Sequence, residues 1–312
     1  MSRRGVALFA LMSVIWGIPY LMIKVAVEGV PVPVLVFART AVGAAVLLPL
    51  ALRGGRLTAL RRSWKPLVAF AALEIVVPWW LLSDAEHHLT SSMTGLLIAA
   101  SPIAAVVLSR LTVLREALGR ERLGATRWAG LGVGFAGVVV LAAPHLRGGD
   151  PWSIVEVLLA ALCYAIAPLI AARHLQDVPA LPMTAVCLGG AALLYAVPAA
   201  ITWPETLPAP RVLAALAGLA IVCTALAFIV FFALIREVGT SRALVFTYVN
   251  PAVAVTAGVL LLGEPLTAPI VASFTLILGG SVLATVRPRR EPEPDRRAEP
   301  VLVRTGAGRT SR

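Results

Sequence analysis

Two charged side chains lie deep inside apolar stretches of this sequence. Glu74 falls in the stretch 66–83 and Arg39 in the stretch 34–52. If each stretch is a helix, a rise of about 1.5 Å per residue puts Glu74 roughly 13 Å into its helix, near the middle of a bilayer. Ionised groups are costly at that depth and are usually buried and functional. Glu74 is therefore a candidate for binding a proton or a cation.

A structural role for Glu74 is the alternative. Arg39 would lie about 8 Å below the outer membrane surface in the preceding helix. Its long side chain could reach Glu74 in a charge-assisted pair. A neutral or paired carboxylate would then only hold two helices together. The sequence leaves both roles open, and both residues are candidates for substrate binding and translocation.

Aromatic side chains could form the wall of a cavity for an apolar or cationic substrate. The candidates are Trp16, Trp79, Trp80, Tyr164 and Tyr248. Trp79 and Trp80 fall in the outer third of their helix, where tryptophan also anchors proteins at the membrane–water interface. We favour that anchoring role for this pair. Asn250 adds a deep amide that would bind substrate or hydrogen-bond a neighbouring helix.

Four of the prolines inside the apolar stretches are candidates for gating kinks. Pro102 and Pro251 lie near the middle of their helices, and Pro19 and Pro168 lie beyond the middle. A proline inside a helix removes one backbone donor and frees a carbonyl group. Kinks at these positions would act as gates on a transport path, or they would be packing kinks that membrane helices tolerate.

The elements that carry these residues are predicted from composition. Of the 312 residues, 59% are hydrophobic and only 14% are charged, which excludes an ordinary soluble protein. Ten stretches are long enough to cross a bilayer core about 30 Å thick, and in lipid they must be helices. They cover 5–26, 34–52, 66–83, 91–110, 128–143, 152–171, 182–202, 211–232, 243–262 and 267–286. The predicted fold class is an all-α integral membrane protein with ten transmembrane helices.

The positive charge indicates the orientation in the membrane. The net charge is +11, but the arginines lie in alternate loops and in the tail rather than on one basic face, so no nucleic-acid partner is expected. Lys and Arg concentrate in cytoplasmic loops. We therefore predict a multi-pass protein of the cell's inner membrane with both termini in the cytoplasm. The tail, 287–312, is rich in Arg, Pro and Glu and is predicted to be disordered.

The two halves of the chain repeat each other. A shift of 149 residues pairs Pro19 with Pro168 and Pro102 with Pro251, and a shift of 143 pairs Glu121 with Glu264. The predicted domains are a first repeat at 5–143 and a second at 152–286. Because each repeat holds an odd number of helices, the second is inverted relative to the first. Inverted repeats are typical of secondary transporters, with the substrate between them near the midplane.

Other residues receive plainer predictions. Lys24 and Glu156 fall near helix ends, where long side chains reach water. The outer loop with Asp84, Glu86, His87 and His88 is predicted to be solvated, with a metal or pH-sensing site as the alternative.

Three cysteines, Cys163, Cys187 and Cys223, are predicted to pack as small apolar side chains. Gly130, Gly134 and Gly137 share one helix face and predict close packing within the chain rather than dimerisation.

Several motifs resemble the EamA-like branch of the drug/metabolite transporter (DMT) superfamily. They are Trp16-Gly17, the segment 85–92 leading into Ala100-Ser101-Pro102, Gly119-Arg120-Glu121-Arg122-Leu123, Asn250-Pro251, Leu262-Gly263-Glu264-Pro265-Leu266 and Gly279-Gly280. The resemblance covers about residues 5–286. It implies a ten-helix exporter or importer of small metabolites. It also implies a central cavity lined mainly by helices one, three, four, six, eight and nine.

The favoured function is a secondary transporter that works by alternating access. Its partners would be the lipid bilayer and a small metabolite, an amino-acid-like solute or a drug; export is favoured, and coupling to protons stays open. The sequence has no G-x-x-x-x-G-K-[ST] loop, which agrees with a transporter that uses no nucleotide. A membrane-embedded enzyme is disfavoured because the sequence has no H-E-x-x-H or G-x-S-x-G motif and no histidine within a predicted membrane helix. A structural or signalling membrane protein is the other alternative. No cofactor and no metal are predicted, and the sequence does not distinguish a monomer from a homodimer.

Overall fold

Helices make up the ordered architecture of this chain. The computed structural model describes residues 1–53, 58–108, 125–148 and 150–285, and within these ranges it contains helices and no strands. Glu121 and the predicted tail, 287–312, lie outside the described residues. We number the apolar helices in chain order. They are α1 (Arg3–Ala26), α2 (Val32–Leu52), α3 (Trp64–Ala85), α4 (Ser91–Ile98 and Ser101–Leu108), α5 (Ala125–Gly148), α6 (Pro151–His174), α7 (Ala180–Ile201), α8 (Pro210–Val238), α9 (Thr240–Ala243, Leu244–Tyr248 and Asn250–Leu262) and α10 (Ala268–Thr285).

Six of these helices are long and apolar enough to cross a membrane, namely α1, α2, α3, α6, α7 and α8. The apolar parts of α4, α5, α9 and α10 are shorter. Large apolar side chains cover the outside of the helices; Leu193 and Ile201, for example, are each 79% exposed. So much exposed apolar surface would be a liability in water. A lipid environment accounts for it.

The helix ends follow from local side-chain chemistry. The side chain of Thr90 accepts a hydrogen bond from the Met93 N–H at the start of α4, and Asp150 accepts one from the Trp152 N–H at the start of α6. Such caps satisfy backbone donors that have no partner within the helix. α9 ends at Gly263, whose φ of 67° is in the left-handed region that glycine adopts without strain.

Prolines interrupt three helices. α1 breaks at residues 16–18, just before Pro19; α4 breaks at residues 99–100, just before Pro102; and α9 restarts as a regular helix at Asn250, just before Pro251. α6 instead continues unbroken through Pro168. The helix is therefore interrupted at three of the four predicted kinks, and at Pro168 it is not.

Helices from the first and second halves of the chain pack in pairs. α2 packs along α7, α5 along α10, α3 along α6, α1 against α8 and α4 against α9. One buried cluster joins α2, α7 and α8 around Leu35, Leu47, Leu188 and Leu219. Another joins α4, α5 and α10 around Leu97, Leu141 and Ile277. Tyr164 on α6 packs against both clusters, so the middle of the molecule lies between them.

Glycines bring α5 and α10 into backbone contact. A Cβ atom at Gly280 would overlap the backbone of Gly134, and one at Gly130 would lie 2.5 Å from the Ala284 nitrogen. A Cβ at Gly137 would lie 2.8 Å from side-chain atoms of α10. The predicted packing of this glycine face within the chain is confirmed.

Replacing Gly280 tests this contact. We expect Gly280→Ala to lower the stability of the bundle by about 1–3 kcal/mol, because the added carbon meets backbone that cannot move aside. The adjacent Gly279→Ala is the matched control, since nothing lies within 4 Å of a Cβ there. Thermal unfolding in detergent measures both variants. Equal midpoints for the two would contradict the close approach of α5 and α10.

Candidate functional site

A cavity of about 230 Å³ lies in the middle of the helices, and we call it the central cavity. It is lined by Trp16, Pro19, Tyr20 and Ile23 from α1, Arg39 from α2, Glu74, Ile75, Trp79 and Leu82 from α3, Ser101 from α4, Tyr164 and Pro168 from α6, and Cys223 and Phe228 from α8. Of the twelve predicted site residues, seven lie here together: Trp16, Pro19, Arg39, Glu74, Trp79, Tyr164 and Pro168. Arg39 adds α2 to this lining. The family resemblance implied a cavity lined mainly by helices one, three, four, six, eight and nine, and so did not include α2.

Glu74 lies on an irregular turn of α3. Residues Ala72–Val76 form a wide π-helical turn. Pro78, four residues after Glu74, has no N–H to donate to the Glu74 carbonyl, so regular α-helical bonding fails at this point. The Glu74 side chain is partly exposed to the cavity, and it makes no hydrogen bond or ion pair to any residue that the structure describes. A negative charge in this position requires a proton or a bound cation to neutralise it.

Arg39 is fixed by two contacts, neither of them with Glu74. Its Nε donates a hydrogen bond of 2.8 Å to the hydroxyl of Thr224 on α8. Its guanidinium carbon lies 3.6 Å from the centroid of the Trp79 ring, a cation–π geometry. The Arg39–Glu74 ion pair, the structural alternative, is not formed among the described residues.

Thr224 belongs to a second π-helical turn, Gly218–Leu226 in α8. Its hydroxyl donates to the Leu219 carbonyl at 2.9 Å while accepting from Arg39. The hydroxyl is thus donor and acceptor at once, and the irregular turn that holds it also sets the orientation of the Arg39 guanidinium.

Aromatic rings surround the charged groups. Trp16 packs within 5.7 Å of the ring centres of Phe228, Phe231 and Phe246. Trp79 is only 5% exposed and lies against Arg39, so the interfacial anchor favoured for it is wrong. Trp80 does not line the cavity; it stacks on Tyr195 with ring centres 5.9 Å apart.

The remaining predicted site residues line a second, smaller cavity of about 50 Å³. Tyr248, Asn250, Pro102 and Pro251 are all in its wall. With its amide oriented to satisfy its neighbours, Asn250 donates to the carbonyls of Ser13 at 3.2 Å and Phe246 at 3.1 Å. The hydrogen bond to Ser13 joins α9 to α1. It agrees with the second role predicted for Asn250, a hydrogen bond to a neighbouring helix. Tyr20 and Ser101 belong to both cavities.

Sequence reasoning missed several cavity residues. Tyr20 lies four residues after Trp16 and three before Ile23, so all three share a helix face, and that spacing could have identified it. Ser101 and Phe228 carried no comparable signal. Cys223 was predicted to be a packing residue, and it also borders the cavity.

The polar residues around the start of α4 agree only in part with their predictions. We call this end of the helices the distal end; it holds Lys24, Glu86 and Leu89. Lys24 is partly exposed near the end of α1, and its Nζ donates to the carbonyls of Glu86 at 2.6 Å and Leu89 at 2.9 Å. Glu86 is fully buried rather than solvated, and within the described part of the chain neither of its carboxylate oxygens has a hydrogen-bond partner. Burial raises the pKa of this carboxyl above its usual range.

Glu156, near the start of α6, is buried, at 3% exposure, so its side chain does not reach water as predicted. Among the residues that the structure describes, no group of three His, Cys, Asp or Glu side chains is arranged to hold a metal ion.

Comparison with known proteins agrees with this architecture. The sequence model of the EamA-like transporter family matches residues 3–143 and 151–286. The chain is 29% identical over 286 residues to the uncharacterized inner membrane transporter YedA of Escherichia coli K12, covering 90% of each chain. It is 24% identical over 297 residues to the uncharacterized transporter YvbV of Bacillus subtilis, covering 93% of this chain and 94% of that one.

The fold has a counterpart among solved structures. One crystal structure superimposes with a TM-score of 0.63 at 22% sequence identity, covering 90% of this chain and 96% of the other. At that identity the likeness concerns the fold alone. The match of the family model over both halves of the sequence settles the assignment: this chain belongs to the EamA-like transporter family.

Proposed function

We propose that this protein is a secondary transporter of the inner membrane that carries small amino-acid-like solutes through the central cavity by alternating access. Membership of a transporter family supports the general activity, and a similar protein described as an inner membrane transporter supports the location. The observation that carries the proposal is Glu74: its carboxylate faces a cavity in the middle of the helices, and none of the residues that the structure describes provides a counter-ion for it.

The lining of the cavity favours a zwitterionic solute. Glu74 offers a free carboxylate to an ammonium group. Arg39 uses its Nε for Thr224, so its terminal nitrogens stay available for a carboxylate at the cavity wall. Trp16, Tyr20 and Tyr164 provide apolar faces for the rest of the molecule. At about 230 Å³ the cavity is smaller than typical drug sites of roughly 300–1,000 Å³, which favours a small metabolite over a bulky drug.

Two five-helix repeats of opposite orientation belong to this proposal. Each long helix pairing joins one helix from each half, as in α2 with α7 and α5 with α10. The same shift of 149 residues that aligns the prolines carries the π-helical turn 72–76 to 221–225, inside the turn Gly218–Leu226. It also carries the break of α4 onto the break of α9. These matches support ten spans in two inverted halves.

Glu74 is the proposed coupling residue. A proton or the ammonium group of a solute would neutralise it in turn, which links solute movement to the proton gradient. We propose export as the direction, with both termini in the cytoplasm.

Replacing Glu74 tests the proposed coupling. In proteoliposomes loaded with radiolabelled phenylalanine, we expect efflux by the unaltered protein to depend on pH between about 5.5 and 8, because the proposed coupling requires the Glu74 carboxyl to gain and lose a proton in each transport cycle. Glu74→Gln should remove both the pH dependence and at least about 90% of the efflux, since the amide cannot exchange a proton or pair with ammonium.

The matched control is Glu205→Gln, because Glu205 is exposed and outside the cavity. It should transport as the unaltered protein does. Efflux by Glu74→Gln that keeps the pH profile of the parent would remove Glu74 from the mechanism. A wider panel of amino acids, amines and carboxylic acids, loaded in the same way, separates a wrong substrate from an inactive protein.

Thr224 tests the role of Arg39. Thr224→Val keeps the shape of the side chain but removes the acceptor for the Arg39 Nε. We expect it to raise the KM for a zwitterionic solute about tenfold, the effect of losing one hydrogen bond to a charged group. Thr224→Ser, which keeps the hydroxyl, should stay near the parent value. Equal KM values for the two variants would show that Thr224 does not position Arg39.

Labelling from the two sides of the membrane tests the inverted halves. Arg61 follows α2 and Glu205 follows α7, and both are exposed. In inverted repeats, Arg61→Cys should react with a membrane-impermeant thiol reagent only from the cytoplasmic side and Glu205→Cys only from the outside. Reaction of both from the same side would exclude the proposed topology.

A further inference from the structure

Glu264 connects the second half of the chain to the first. It lies in the loop between α9 and α10, and its carboxylate accepts three hydrogen bonds at the start of α4. Oε1 accepts from the Ser91 N–H at 2.7 Å, and Oε2 accepts from the Ser92 N–H at 3.0 Å and the Ser92 hydroxyl at 2.5 Å. An anion is stabilised there because the first backbone N–H groups of a helix lack internal partners and carry partial positive charge.

The chain around Glu264 is shaped to deliver this carboxylate. The left-handed Gly263 turns the chain at the end of α9, and the Glu264 N–H donates back to the Gly258 carbonyl at 3.1 Å. Gly258 leaves room for the contact: a Cβ atom there would overlap the Glu264 carboxylate and lie 2.5 Å from the Ser92 hydroxyl. Ser91 and Ser92 are both fully buried.

The contact lies at the distal end, beside groups that are buried but incompletely bonded. The Ser91 hydroxyl and both carboxylate oxygens of Glu86 find no hydrogen-bond partner among the residues that the structure describes. Lys24 binds the Leu89 carbonyl just before α4 begins. This region is therefore closed to water in the present arrangement, although some of its polar groups would be better satisfied by water.

The two helices joined by Glu264 are both interrupted. α4 breaks just before Ser101, which lines the central cavity, and α9 breaks at Asn250, which lines the smaller one. The distal segment of α4 can therefore move separately from the segment that carries Ser101. Another distal link between the halves, the Arg211–Glu28 ion pair at 2.5 Å, is exposed and so contributes little to holding the halves together.

We propose that Glu264, with Ser91 and Ser92, is a latch that keeps the distal entrance to the central cavity closed. This inference rests on the proposed alternating access. When the halves rearrange, the carboxylate leaves α4 and becomes hydrated, while Thr90 continues to cap the helix through the Met93 N–H. Glu264 does not line the cavity, so it is a positioning residue that acts through α4 and not a substrate ligand.

A cysteine reporter in the cavity tests the latch. Ser101→Cys is made in a chain in which Cys163, Cys187 and Cys223 are replaced by alanine. Its rate of reaction with a membrane-impermeant thiol reagent is measured in right-side-out and inside-out vesicles. With both termini in the cytoplasm, α1 crosses the membrane once before Lys24, so the distal end faces outside. We therefore expect Glu264→Gln to raise the ratio of outside to inside rates about tenfold, the change that follows from losing one charge-assisted hydrogen bond.

Glu205→Gln is the matched control, since it removes the same charge from an exposed site and should leave the ratio unchanged. Ser92→Ala is a second variant that removes one of the three donors from the other side of the contact. It should raise the ratio by less than Glu264→Gln, and the two effects should not add in the double variant.

The outcomes separate the latch from a simple helix cap. If Glu264→Gln and Ser92→Ala lower the thermal midpoint but leave the labelling ratio unchanged, the contact only stabilises α4 and the latch is wrong. An equal rise in Glu205→Gln also overturns it, because any outer charge would then suffice. If the reporter without a change at Glu264 reacts from one side only, and phenylalanine efflux by the protein of unaltered sequence is absent, the proposed alternating access fails, and the latch fails with it.

Discussion

Backbone groups inside lipid have no water to bond, and this constraint governs where the helices of this protein can be irregular. The breaks before Pro19, Pro102 and Pro251 each border one of the two inner cavities. The π-helical turns of α3 and α8 carry Glu74 and Thr224 to the same region. Irregular backbone is thus gathered in the middle of the molecule, covered by protein, while the regular helices α2, α5, α7 and α10 lie outside it.

The same concentration of irregular backbone explains the charged groups. Arg39 is held in place by a hydroxyl in one π-helical turn and by a tryptophan ring that follows the other. Glu74, on the turn itself, has no such partner among the described residues. The direction of Arg39 is therefore fixed by its neighbours, whereas no side chain of the described residues pairs with Glu74. An ion pair between them would have satisfied both and left nothing in the cavity to change during transport.

The sequence predicts how deep each site residue lies within its helix. The positions of Trp16, Glu74 and Tyr164 within their apolar stretches were sufficient to identify them as candidates. The partners could not be predicted in the same way. Arg39 and Thr224 are 185 residues apart in the chain, and Ser91 and Glu264 are 173 apart; no local pattern specifies such pairs. The burial of Glu86 was not predicted, because a short loop between two helices is usually hydrated, whereas this one folds inward and its Glu86 carbonyl accepts a hydrogen bond from Lys24.

The glycine contact between α5 and α10 has a mechanical consequence. Side chains that interlock between helices resist both sliding and rotation, whereas two backbones that touch without side chains between them resist only further approach. Gly134 and Gly280 meet in this second way, one from each half of the chain. The two backbones already touch at this point, so a relative motion of α5 and α10 can separate or tilt the helices but cannot bring their axes closer together.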